Sequence, residues 1–100
     1  MTACVFRFSF SPDVPLDEAE MTLQLATFAA EGLCGMARVR LDFAYQIDPA
    51  QGAIVLNGTR DVGAIVVHLF VGLLVREFGE DAFRVERIAS QQQQPQEAAA

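Results

Sequence analysis

Fourteen consecutive residues, Val62 to Val75, contain a single polar side chain, His68. A run of this kind must be hidden from water on nearly every side. It is too short for a membrane helix, which needs about 20 apolar residues, and Asp61 and Arg76 bracket it closely. It therefore reads as a helix buried against protein on more than one face. Its valines lower intrinsic helix propensity, so packing must hold it helical.

The rest of the chain offers little to bury it. One hundred residues make one domain with a large surface for its volume. Apolar and aromatic residues make up 52 % of the chain before glycine is counted, against a usual roughly 45 to 50 % with glycine. That surplus points to apolar surface covered by another chain. Thirteen acids against seven arginines give a net charge of −6, which repels nucleic-acid phosphates. The opening MTACVFRFSFSPD has no secretory-signal pattern, so a cytoplasmic protein with Cys4 and Cys34 as reduced thiols is expected, with no membrane contact. Two cysteines are too few for a metal cage, and no cofactor is implied.

Periodicity orders the elements. Cys4 to Phe10 alternates and predicts a strand; Pro15 with Asp17, Glu18 and Glu20 predicts a helix start, ended by Gly32 or Gly35. Alternation returns from Ala37 to Ile47 as a long strand, Asp48 to Gly52 reads as a hairpin loop, and Ala53 to Asn57 as the returning strand. Thr59 caps the apolar helix, Gly79 closes it, and Phe83 to Ile88 is a fourth strand. The order β-α-β-β-α-β predicts an α+β ferredoxin-like, split βαβ sandwich: four antiparallel strands with two helices on one face. Residues 1 to 89 would form this single domain, and 90 to 100, with QQQQPQEAAA, a disordered tail. The expected sheet core is Phe6, Phe8, Phe10, Val39, Leu41, Phe43, Tyr45, Ile54, Leu56, Phe83 and Val85.

Helical wheels separate surfaces within the two helices. In the first, Leu16, Ala19, Leu23, Ala26, Ala30 and Leu33 form a stripe suited to packing on the sheet. Met21, Leu25 and Phe28 lie about 160° away and make an interface candidate, the alternative being contact with the second helix. In the second, Val62, Val66, Leu69 and Leu73 are expected to face the sheet. Val67, Phe70, Val71, Leu74 and Phe78 are then left for the first helix or another subunit.

Chemistry-bearing residues are sparse. Asp61, His68 and Arg76 share a helix face and form a weak catalytic or ligand candidate; a solvated polar stripe is the plainer reading. Arg7, Arg38, Arg40 and Arg84, against Asp42 and Glu86, predict a basic patch on the open sheet face for an anion or acidic partner. The loop SFSPDVP has neither the paired cysteines of heavy-metal-associated domains nor the glycine-rich cradle of acylphosphatases. It resembles the Asp-Pro start of ACT regulatory domains, with Val14 or Leu16 where a glycine belongs.

Three functions follow as expectations. The first is a non-enzymatic interaction or assembly module, a homodimer or higher oligomer, associating through apolar helix faces with itself and with other proteins. The second is a ligand-sensing domain. The third is a cofactor-free dimeric enzyme resembling small ferredoxin-like monooxygenases, with His68 or Tyr45 as the acid-base group. A cavity between helices and sheet would separate the third from the first.

Overall fold

The computed structural model describes residues 3 to 88; the expected tail lies outside the described residues. Four antiparallel strands and three helices form a mixed α+β domain: β1 (Ala3–Phe10), α1 (Leu16–Cys34), α2 (Met36–Asp42), β2 (Phe43–Asp48), β3 (Ala53–Thr59), α3 (Arg60–Phe78) and β4 (Phe83–Ile88). The spatial strand order is β2-β3-β1-β4, with β3 between β1 and β2, and β1 between β3 and β4.

Local chemistry explains most boundaries. Pro15, at φ −65°, presets the entry to α1, and Asp17 and Glu18 sit in its first turn, at the positive end of the helix dipole. Gly35 ends α1 at φ +96°, a conformation side chains disfavour, while its N–H bonds the carbonyl of Glu31. The Thr59 side chain accepts from the N–H of Val62 at the start of α3, and Gly79, at φ +93°, returns its N–H to Val75.

The sequence expectation fails at residues 37 to 42, which form α2 and leave β2 to begin at Phe43. Alternation over six residues fits the strand period, but local contacts decide for helix. The Gly35 carbonyl accepts the N–H of Val39 at 3.2 Å, and Arg38 lies 3.7 Å from Asp42, one turn on. Val39 is still buried, but from the helix, whereas Leu41, expected in the sheet core, is 83 % exposed.

Phe8, Ile54 and Leu56 form the centre of the sheet core, with Phe6, Phe10, Phe43, Tyr45 and Phe83 half-buried around them. Val85 lies beyond this cover and is exposed. Phe70 of α3 descends onto Phe8, with ring centroids 4.7 Å apart, and Phe10 and Phe83 complete an aromatic group under the helix. At its N-terminal end α3 meets the sheet backbone to backbone. A Cβ built on Gly58 would stand 2.9 Å from the Cα of Gly63 and 3.2 Å from the carbonyl oxygen of Asp42. Only a glycine pair permits that approach.

This joint corrects the predicted orientation of α3. Val62, Val66, Phe70 and Leu74 face inward and are fully buried, while Leu69 and Leu73 are half-buried. Phe70 and Leu74 are thus core residues and cannot belong to a contact surface. Val67, Val71 and Phe78, assigned to the same surface, are also half covered within the chain.

Candidate interaction surface

On α1 the buried side is Ala19, Thr22, Leu23, Ala26 and Ala30. Alanines allow close approach, and Thr22 joins α1 to α3 by donating its hydroxyl to Glu77 Oε1 at 2.6 Å. Glu20 faces the β2 side, where its carboxylate accepts the Tyr45 hydroxyl at 2.9 Å. Leu33, expected in the buried stripe, is instead 70 % exposed at the last turn.

Met21, Leu25 and Phe28 are spaced i, i+4, i+7, turned away from the buried alanines, and are 64, 58 and 64 % exposed. More than half of each side chain therefore stays uncovered although α1 packs along α3. Leu33, in the last turn of α1, and Met36, at the start of α2, add two more large apolar side chains, both more than half exposed. Beside Leu33, a groove of about 330 Å³ runs along α3, lined by Ala64, Ile65, His68 and Leu69. The outward side of α1 therefore displays several large apolar side chains, beside the exposed Asp61, His68 and Arg76 of α3, and exposed apolar groups gathered in this way mark interaction sites. The wheel located its centre; Leu33, Met36 and the groove were missed, because their exposure depends on where α1 stops and how α3 is rotated.

The other candidates do not assemble. Asp61, His68 and Arg76 are all exposed. Seven and eight residues of helix put them roughly 10 and 12 Å apart along the axis, too far for hydrogen-bonded relay. Asp61 is instead engaged by Arg38 at 3.2 Å. The predicted arginine patch is dispersed, since α2 carries Arg38 and Arg40 off the sheet, and Arg40 lies 4.0 Å from Glu31. Arg7 and Arg84 remain on the open face, Arg7 within 3.9 Å of Asp48 and opposite Glu86. Among the described residues, no group of three or more His, Cys, Asp or Glu is placed to hold a metal ion. No helix among them is long and apolar enough to cross a membrane.

Tyr45 borders an open cleft of about 340 Å³ with Thr27, Glu31, Val39, Arg40, Phe43 and Ala44. The hydrogen bond from Gln24 pulls its phenol down, but burial, the hydrogen bond to Glu20 and the charge of Glu20 together outweigh it and hold the phenol above its ordinary value. A phenol so held keeps its proton at neutral pH and already donates it to Glu20, which suits a structural link better than a general base.

No family model matches this chain, and comparison with curated proteins and with solved structures finds no match either.

Proposed function

We propose that this chain is an assembly module that docks a second copy of itself on the outer side of its helical layer. The observation that carries the reading is the Met21, Leu25 and Phe28 stripe, three large apolar side chains each more than half exposed. Charge favours a second copy as the occupant. Asp17 and Glu18 lie at one end of α1, and Arg38 and Arg40 lie beyond the other, on α2. Two α1 helices, each roughly 28 Å long, crossing antiparallel near Leu25 bring the acids of one copy toward the arginines of the other. Such an interface is self-complementary, as a two-fold dimer requires.

The architecture itself supports a ferredoxin-like, split βαβ reading. In it a strand of one β-helix-β unit separates the two strands of the other, and α2 is an addition before β2. That fold hosts many unrelated activities, so function rests on the surface and not on the fold.

The test is sedimentation of the parent chain and of Met21→Ser/Leu25→Ser/Phe28→Ser over a range of concentrations. The parent is expected to self-associate, and the variant to keep an unchanged circular dichroism spectrum while losing the association made through α1, so that its dissociation constant rises about tenfold or more. A variant that associates as tightly as the parent would sink the reading.

A further inference from the structure

β4 borders the sheet, and among the described residues only β1 pairs with it. Its register runs from Phe10 opposite Phe83 to Val5 opposite Ile88, and Ser11 donates its N–H to the carbonyl of Ala82. Opposed residues in an antiparallel pair alternate between exchanging hydrogen bonds and not exchanging them. Arg84, Glu86 and Ile88 therefore turn their backbone groups toward β1, and Phe83, Val85 and Arg87 turn theirs outward. The strand has no proline, and Arg84 to Arg87 are exposed. A regular border of this kind is a template for another strand.

The side chains identify that strand. Arg84 and Glu86 flank Val85 on the open face of the sheet. Reversing a copy about a two-fold axis through Val85 sets each Arg84 opposite the other copy's Glu86, and each Phe83 opposite the other copy's Arg87. Opposed Cβ atoms in such a pair lie about 4.5 to 5.5 Å apart, close enough for two ion pairs on one face and for arginine to contact a phenyl ring on the other. The opposite border, β2, reads FAYQID and has Asp48 as its sole charge, so reversal pairs that acid with no cation.

We propose that β4 docks antiparallel on β4 of a second copy, centred on Val85, joining two sheets into one through about six backbone hydrogen bonds. This contact is independent of the helical surface. Where both operate, two different two-fold contacts on one chain build a closed tetramer or an open filament.

The experiment uses the full chain carrying Phe28→Asp, which weakens the helical contact and leaves β4 untouched. Sedimentation is measured for this parent, for Arg84→Glu, for Glu86→Arg and for an equimolar mixture of the two. Each variant alone sets like charges opposite each other twice, and its dissociation constant is expected to rise about tenfold or more. The mixture sets opposite charges together again and is expected to recover the parent value. Glu86→Arg also faces Arg7 within the chain. Val85→Pro is therefore measured too: it removes an outward N–H without touching β1 pairing, and is expected to abolish association in a folded chain. The proposal is overturned if the parent stays monomeric up to about 1 mM, if neither charge variant weakens it, or if mixing restores nothing. Association that emerges only after deletion of Gln91 to Ala100 would assign the border to the chain's own C-terminal residues, and overturns it equally.

Discussion

α1 and α3 have the same length, 19 residues each, yet the more apolar of the two is the better hidden. α3 sits over β3 and β1, the central strands, with Phe70 and Leu74 fully buried. α1 lies against α3 and α2 and reaches β2 through Glu20 and Tyr45, buries a face built largely of alanine, and leaves Met21, Leu25 and Phe28 outside. Exposure thus follows position over the sheet and not total hydrophobicity. α3 spends its large side chains on the central strands, whereas α1 buries a small-residue face and displays the large residues its outer side carries.

The contrast breaks most sharply at its two phenylalanines. Phe70→Ala removes a ring packed on Phe8, Phe10 and the sheet, and is expected to cost about 3 to 5 kcal/mol in denaturant unfolding. Phe28→Ala, measured at a concentration low enough for the chain to be monomeric, is expected to change stability by less than about 0.5 kcal/mol, as surface changes do. Comparable losses at the two positions would show that α1 is as enclosed as α3.

A smaller effect is expected at the glycine joint. Gly58→Ala forces a methyl group against the backbone of Gly63 and Asp42, and should cost about 1 to 3 kcal/mol, measured as a lower thermal midpoint. Gly72→Ala, on α3 with Gly63 but with nothing near its Cβ, is the control and should leave the midpoint level or raise it.

The smallest effect sharpens the account of α1. Tyr45→Phe deletes the hydroxyl donated to Glu20 and should cost about 0.5 to 1.5 kcal/mol at neutral pH. The phenol is held above its ordinary value in the folded chain, so its contribution is complete below the unfolded value of about 10 and is lost as pH climbs through the folded one. Unfolding curves of parent and variant should therefore converge above about pH 10. Curves that stay parallel would remove the ionisable link between α1 and β2.

Much of this was legible in the residues. Glycines and caps located both long helices, and β4 matches its expected span, because these signals act within a few residues. α2 was not legible, since Ala37 to Asp42 satisfies the strand period while its helical form depends on Gly35 and on Val39 reaching the core. The rotation of α3 was not legible from hydrophobicity either: a helix apolar nearly all round offers no preferred side. Gly63 held the missing signal, a glycine in the first turn facing Gly58. On the candidate surface, the exposure of Met21, Leu25 and Phe28 followed from spacing, but that of Leu33 followed only from the place where α1 ends.

The contact between Gly58 and Gly63 also makes α3 a lever. Backbone against backbone cannot yield by changing rotamers, so the helix is clamped at its N-terminal end. Its far end is held by side chains alone, Phe70 and Leu74 on the core and Glu77 on Thr22. Phe78 lies fifteen residues beyond Gly63, roughly 22 Å along the axis, so a tilt of about 3° at the clamp carries the far end by about 1 Å. The same displacement near Ile65 and His68 is several times smaller, and at the far end the hydrogen bond from Thr22 to Glu77 ties α3 to α1.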